Sequence, residues 1–267
     1  MHVLPCSHVA RRPCFGPHRF ARRPIRRMMM GNTVREATMS HNILSVIAAM
    51  AEVATVTHDE PSTRHPKKPV ITISRDYGSG GDVIAQRLSQ RLTIPLYDEV
   101  VLKEIATRLQ DDPAIVKMLD EGFGRAKDMW LYRLFSGNDV GPDAYRDTLV
   151  KVVMSLGRMG GVLLGRGAHV ILQEACALRV RIIGTPEVCA KRMAQSGHGT
   201  YDQELAKTRE VDHMRGKFVW DVFNSRLSDA SQFDIIINTD RMADFEDVVE
   251  MLEGMAKAIH AGRVLAL

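Results

Sequence analysis

The sequence predicts an α/β protein in which a parallel sheet is flanked by helices. Between residues 70 and 260, short apolar runs alternate with segments whose apolar residues recur at helical spacing. The central runs show no polar alternation, which is typical of strands covered by helices on both faces. Together these observations predict a three-layer α/β sandwich.

Five apolar runs are the predicted strands, because each ends at a turn or at a helical pattern. They are Val70–Ser74, Ile94–Tyr97, Gly161–Gly165, Leu178–Gly184 and Phe233–Asn238. A helical pattern follows the first run directly. A longer one runs from Glu99 to about Gly160, and another starts at Thr185-Pro186-Glu187, where the proline suits a first helical turn. A last helix is predicted over about 243–260.

The basic residues are concentrated at the start of the chain. The 267 residues include 36 lysines and arginines and 32 acidic residues, a net charge of +4. The first 35 residues hold eight arginines and no acid, so the rest of the chain carries 28 basic against 32 acidic residues. This mildly acidic body is a poor electrostatic partner for nucleic acid, and we expect none to bind the main domain.

Residues 1–40 are predicted to form a disordered basic extension, since Arg, Pro, His and Met follow no period there. Three interpretations stay open. The stretch is a targeting peptide, a basic interaction tail, or a sequence upstream of a native start near Met28–Met30 or Met39. Residues 41–68 are predicted to form a short apolar helix and a polar, proline-rich linker. The main domain is predicted over residues 69–262.

No membrane segment is expected, because no apolar run approaches ~20 residues. The four cysteines show no spacing typical of a disulfide framework, which favours a reduced, cytoplasmic setting. No set of residues is predicted to ligate a metal ion by itself, and the pattern leaves the oligomeric state open.

A glycine cluster follows the first predicted strand and opens a helical pattern. The predicted strand, the loop at residues 76–81 and the helical pattern after it therefore have the strand–glycine loop–helix order of a phosphate-binding loop. An ordinary tight turn is the alternative. Glycines let backbone N–H groups approach an anion closely. The predicted contacts to donor phosphates are Gly78, Ser79, Gly80 and Gly81. The usual lysine is missing: if Gly81 is the last loop glycine, Asp82 stands in its position. Arg75, just before the loop, is one candidate for the replacement cation.

Two further turns at the ends of predicted strands carry charged side chains. Arg166 lies in the turn Gly165-Arg166-Gly167, at the edge where open α/β sheets bind ligands, and its planar fork suits phosphate. Asp98, after the second strand, could accept hydrogen bonds from a sugar hydroxyl or a base amine. Each has an ordinary alternative: Arg166 as a surface arginine in a turn, and Asp98 as a helix N-cap.

A third cluster lies in the helical segment after the fourth strand. Asp212 and Arg215 are three residues apart and share a helix face, and Arg209 lies just before them. Arginines beside a transferring phosphoryl group neutralise its developing charge, so Arg192, Arg209 and Arg215 are predicted as catalytic. The alternative is an ordinary ion pair on a solvated helix. His169 is expected to be a surface residue at a helix start.

Several of these stretches together resemble the cytidylate kinase-like family of the nucleoside monophosphate kinases. They are Ile71–Gly81, Leu96–Asp98, Leu163–Ala168 and Asp234–Thr239. The resemblance covers about residues 69–260 in a consistent order. It implies a P-loop fold of the nucleoside monophosphate kinase type, with a five-stranded parallel sheet. It also implies a monophosphate-binding helical insert at 99–160 and a mobile lid at about 195–217.

The resemblance further implies an activity, phosphoryl transfer from ATP to CMP or dCMP with Mg²⁺. By resemblance, Arg166, Asp212 and Arg215 hold the acceptor nucleotide. The family's well-characterised enzymes carry the loop lysine, whereas this chain has Asp82. A catalytically weak or inactive nucleotide-sensing module on the same fold is therefore an alternative, and so is a kinase for another small acceptor.

Overall fold

The computed structural model describes residues 66–102, 143–173 and 175–263, together with Ala49 and Ile105. The predicted basic extension lies outside the described residues, as do most of the predicted short helix and linker and most of the middle of the predicted helical insert. In the part of the chain that the structure describes, no helix is long and apolar enough to cross a membrane.

Five strands of the described residues form one parallel sheet, which confirms the predicted fold class. They are β1 (Val70–Arg75), β2 (Leu96–Tyr97), β3 (Gly161–Leu164), β4 (Leu178–Ile183) and β5 (Ile235–Asn238). Their order across the sheet is β2-β3-β1-β4-β5, and every neighbouring pair is parallel. β1 is therefore the central strand, and its carboxyl end lies between those of β3 and β4.

Helices cover both faces of this sheet. They are α1 (Gly81–Leu92), α2 (Asp143–Met159), α3 (Ala168–Ile171), α4 (Pro186–Gln195), α5 (Tyr201–Phe223) and α6 (Glu246–His260), with a 3-10 turn at Ala230–Gln232. Residues 99–102 begin a further helix. One core joins α2, α3 and the end of α5 to the sheet, and a second core joins α1 and α6 to its other face.

Alternate strand residues supply the two cores, because successive side chains of a strand point to opposite faces. Leu163 of β3 lies in the core with α2, whereas its neighbours Val162 and Leu164 lie in the core with α1 and α6. All three are buried. Each such side chain stabilises the fold by roughly 1.5–3 kcal/mol relative to exposure. Burial on both faces explains why the strands lack polar alternation.

Two strands start later than the sequence predicts, each for a local reason. β2 begins at Leu96 and not at Ile94, since Pro95 has no N–H to give to the sheet. β5 begins at Ile235 and not at Phe233. There the side chain of Asp234 takes the place of a backbone partner. Its carboxylate accepts hydrogen bonds from the backbone N–H of Arg179 at 2.8 Å and from Nη2 of Arg179 at 2.6 Å.

Candidate functional site

The glycine loop joins the central strand to α1, at the place where the sequence predicts it. Gly80 is the N-cap of α1 and has φ of +87°, in the left-handed region that favours glycine. A Cβ on Gly80 would lie 2.2 Å from the ring of Phe245, so the loop packs directly against the start of α6. Within the described part of the chain, no side chain caps the first turn of α1. Its N–H groups are therefore open to an anion.

Hydrogen bonds from both sides hold the loop in shape. Ser79 Oγ donates to the carbonyl of Asp76 at 2.8 Å, and Thr239 Oγ1 donates to the carbonyl of Ser79 at 2.7 Å. Arg192, predicted as catalytic, donates to the carbonyls of Gly78 at 2.8 Å and of Thr239 at 3.0 Å. In this geometry the guanidinium of Arg192 braces the loop against the end of β5.

Arg75 brings a buried positive charge to the loop. Its Nη2 lies 3.0 Å from Oδ1 of Asp82 in the first turn of α1, and its side chain is only 8% exposed against 60% for Asp82. On the other side, a Cβ placed on Gly165 would lie 2.8 Å from Nη1 of Arg75. The guanidinium therefore lies between the glycine loop and the Gly-Arg-Gly turn after β3.

A second buried arginine, Arg181 of β4, anchors the start of the loop. It forms an ion pair with Asp76, whose other carboxylate oxygen accepts a hydrogen bond from the N–H of Gly184 at 3.3 Å. None of the sequence motifs above includes this pair. Its signal is an arginine between the apolar residues Val180 and Ile182 of a buried strand, because a buried charge requires a partner.

Three arginines line a cavity of about 290 Å³ beside the loop: Arg75, Arg166 and Arg215. Among the described residues, Glu99 is the one acidic residue in its lining, and it accepts a hydrogen bond from Arg166 at 2.5 Å. The guanidinium of Arg166 also lies 4.9 Å from the ring centroid of Phe218. Arg215 donates to the carbonyl of Arg75 at 3.1 Å. The structure thus brings together Arg166 and Arg215, two of the predicted acceptor ligands.

Asp212, the third residue implied for the acceptor nucleotide, faces a different space. Its carboxylate accepts a hydrogen bond from the N–H of Tyr77 at 2.7 Å and lies 3.7 Å from Arg215. With Asp76 and Arg181 it lines a larger cavity of about 1070 Å³ along the opposite side of α5. Asp212 therefore contacts the backbone of the loop, and its role toward an acceptor stays a prediction.

Two other predicted residues have local partners. Asp98 accepts a hydrogen bond from the N–H of Val101 at 2.9 Å, which is the N-cap geometry of the alternative interpretation. Arg209 lies 3.3 Å from Glu187 in an exposed pair between α4 and α5. The structure does not bring Arg209 to the glycine loop or to the arginine-lined cavity.

The expectation that His169 is a surface residue is wrong. The side chain is 1% exposed, lies 3.1 Å from Ser74 Oγ through Nδ1 and stacks on Phe233 at 4.7 Å between ring centroids. Burial, with the nearby charges of Arg181 and Arg179, lowers the pKa of His169 to about 3. The imidazole is therefore neutral at physiological pH.

Tyr77 is a loop residue outside the predicted site. Its hydroxyl donates to Oε2 of Glu204 at 3.1 Å, and Nζ of Lys207 lies 5.0 Å from the ring centroid. Together with the bond from its N–H to Asp212, these contacts attach the loop to α5 at three points. A large aromatic side chain among the loop glycines is the signal that could have indicated this contact.

Asp212 is expected to make stability depend on pH. Burial raises the pKa of its carboxyl from 3.8 to about 6. The folded protein then holds a proton that the unfolded chain releases, so this stabilising contribution is full below about pH 4 and is lost as pH rises through about 6. Asp212→Asn keeps an oxygen for the N–H of Tyr77 and has no charge to bury.

Urea unfolding of both proteins between pH 4 and 7.5 measures this contribution. As pH rises, we expect the free energy of unfolding of the variant to increase relative to that of the wild type. The increase is up to about 3 kcal/mol for a shift of about two pKa units. A difference between the two proteins that stays constant over this range would contradict the assignment.

The range matched in a family comparison covers the glycine loop, all five strands and the described lining of the arginine-lined cavity. The family described as cytidylate kinase-like matches residues 70–241, more than half of the chain. The chain belongs to the cytidylate kinase-like family. This confirms the resemblance in the sequence and the kinase-like P-loop fold. The match includes the glycine loop, the Gly-Arg-Gly turn and the segment of α5 that carries Arg215.

Several solved structures are similar to the chain at low sequence identity. An uncharacterized protein from Eubacterium ventriosum is 20% identical, with a TM-score of 0.53 over 72% of this chain and 99% of that one. A shikimate kinase from Bacteroides thetaiotaomicron is 15% identical, with a TM-score of 0.39 over 71% and 98% of the two chains. A gluconokinase from Sinorhizobium meliloti is 12% identical, with a TM-score of 0.40 over 74% and 97%. No curated protein matches the chain.

A cation that arrives with a nucleotide needs fewer protein ligands than a closed metal site. Among the described residues, no three His, Cys, Asp or Glu side chains are grouped so as to hold a metal ion. Mg²⁺ commonly takes only one or two carboxylates and completes its shell with waters and substrate phosphates. Asp82 is the acidic residue in the first turn of α1 and is largely exposed, so it is the carboxylate that could hold such an ion.

Proposed function

We propose that the protein transfers the γ-phosphoryl group of ATP to a pyrimidine nucleoside monophosphate, CMP or dCMP. The observation that carries the proposal is a cavity lined by three arginines directly beside a glycine loop at a helix N-terminus. Two anion sites next to each other are what transfer between two phosphates requires. The membership in the cytidylate kinase-like family supports the choice of acceptor.

In the proposed reaction, the N–H groups of the loop and of α1 bind the donor phosphates. Arg166 and Arg215 bind the acceptor phosphate in the adjoining cavity. An oxygen of the acceptor phosphate attacks the γ-phosphorus in line, the bond from that phosphorus to the β–γ bridging oxygen breaks, and ADP leaves. Mg²⁺, when bound with ATP, screens the phosphate charges, and Asp82 is the residue that would hold it.

The acceptor phosphate is already anionic, so the reaction has little need of a general base. The neutral, buried His169 is consistent with this chemistry, because its imidazole lines neither cavity. The contribution of the protein is then mainly position and charge. The arginines stabilise the charge that spreads over the transferring group.

Turnover with a panel of acceptors tests the proposal. The full chain is incubated with ATP, Mg²⁺ and one of CMP, dCMP, UMP, AMP or GMP, and the nucleoside diphosphate is measured. We expect CMP or dCMP to give the highest kcat/KM. Shikimate and gluconate are included as acceptors without phosphate. ATP binding without turnover of any acceptor would contradict the proposal.

A nucleotide-sensing module is the second candidate, and the Arg75–Asp82 pair favours it. Asp82 offsets the charge of the buried guanidinium, so the pair stabilises a transferring phosphoryl group less, while the N–H groups of the loop still bind phosphate. A sensor of this kind binds ATP and gives no diphosphate. The same panel separates the two candidates, provided that ATP binding is measured in parallel.

A further inference from the structure

The start of α1 fixes where the missing lysine would stand. In the motif Gly-x-x-x-x-Gly-Lys-Ser/Thr, the lysine follows the last glycine and the helix begins there. α1 begins at Gly81, and Gly80 is its N-cap. Counted from Gly80, the lysine position is Gly81 and the Ser/Thr position is Asp82. The sequence prediction counts from Gly81 and puts the lysine position at Asp82. The start of α1 moves that position one residue earlier.

Arg75 fills the space that a side chain at Gly81 would need. A Cβ on Gly81 would lie 2.5 Å from Cβ and 2.8 Å from Cγ of Arg75. A lysine at position 81 and the arginine at position 75 therefore exclude each other. Arg75 reaches this space from the end of β1 and not from the helix.

The guanidinium of Arg75 has nitrogens left for an anion. Nη2 pairs with Asp82 at 3.0 Å, but Nε is buried and lacks a hydrogen-bond partner among the described residues. A buried N–H without a partner costs free energy, which a bound anion would recover. The neighbourhood is cationic as well: burial and the charge of Arg75 lower the pKa of Arg215, which lines the same cavity.

We propose that Arg75 replaces the missing loop lysine and binds the outer phosphates of the donor nucleotide, while Asp82 positions its guanidinium. The proposal rests on the proposed function for the identity of the donor, and it is independent of the acceptor. It predicts that the positive charge matters more than its point of attachment, so that the charge can be moved from position 75 to position 81.

Calorimetric titration of the full chain with ATP, without acceptor, tests this role. Adenosine serves as a probe that lacks phosphates. Arg75→Ala should weaken ATP binding at least about tenfold and leave adenosine affinity within about twofold. The matched control is Arg179→Ala, which also removes a strand arginine paired with an aspartate, here Asp234 near the amino end of β4. It should leave both affinities unchanged.

The double variant Arg75→Gly/Gly81→Lys moves the charge to the ordinary lysine position. Glycine at position 75 removes both Cβ and Cγ, which lie 2.5 and 2.8 Å from a Cβ on residue 81, and the helical backbone of residue 81 accepts a side chain. We expect ATP affinity within about threefold of the wild type. If Arg75→Ala does not fold, Arg75→Gln, which keeps the stem and loses the charge, replaces it in the titration with ATP and adenosine.

Three results would overturn the proposal. They are an unchanged ATP affinity in Arg75→Ala, an equal loss of ATP and adenosine affinity, and a double variant that binds ATP no better than Arg75→Ala. ATP binding by the wild type without turnover of any acceptor would contradict the proposed function alone. Intact binding by Arg75→Ala would contradict only this inference, so the two failures are distinguishable.

Discussion

Gly80→Ala is expected to destabilise the fold by about 2–5 kcal/mol and to abolish ATP binding. The left-handed φ of +87° costs a residue with a Cβ roughly 1–2 kcal/mol. The new methyl group would also lie 2.2 Å from the ring of Phe245, and overpacking of this kind costs about 1–3 kcal/mol. Either the ring or the loop must move, and the loop N–H groups then lose their arrangement. Urea unfolding and ATP titration measure the two effects.

Gly254→Ala is the matched control for this substitution. Gly254 lies within α6, and a Cβ there would meet nothing within 4 Å. We expect it to be neutral or to stabilise the fold by up to about 1 kcal/mol. The double variant Gly80→Ala/Phe245→Ala removes the ring and should cost less than the sum of the single variants. Strict additivity would contradict the packing explanation.

Arg215→Ala is expected to lower kcat/KM for the acceptor by about 10²–10⁴-fold. Arg215 lines the arginine-lined cavity, the proposed acceptor site, and its side chain is 23% exposed. Arg209 lies on the same helix, but it is 63% exposed and pairs with Glu187. Arg209→Ala should therefore change kcat/KM by less than about threefold.

A coupled assay of ADP release gives kcat/KM for both arginine variants, and thermal unfolding checks that each variant folds. Arg215 also donates to the carbonyl of Arg75, so a loss of activity counts only in a variant that unfolds near the wild-type temperature. Equal losses of kcat/KM in the two variants would contradict the role of Arg215, because Arg209 does not line the cavity.

Local patterns predicted the central part of the fold and of the site. The glycine loop and α1 follow from one strand, a run of glycines and a helical period, and the structure has each of them in that order. Arg166 and Arg215 meet because the ends of parallel strands share one edge of the sheet, where α5 crosses. These features depend on short segments and on topology rules that apply to any parallel sheet.

Features that depend on packing between distant segments could not be predicted in this way. Helix spacing places Asp212 beside Arg215, yet the docking of α5 turns the two side chains toward different cavities. His169 is buried because Phe233, distant in sequence, stacks on it. The exclusion between Arg75 and a side chain at Gly81 requires distances across the loop, which no pattern supplies.

Transfer of ³²P from γ-labelled ATP to CMP is the most direct test of the central claim, that a loop without lysine still supports phosphoryl transfer. The full chain is mixed with labelled ATP, Mg²⁺ and CMP, and the products are separated. We predict label in CDP, with Arg75→Ala reducing its amount at least about tenfold. Label that remains in ATP or appears only as inorganic phosphate, in a preparation that binds ATP, would contradict the account.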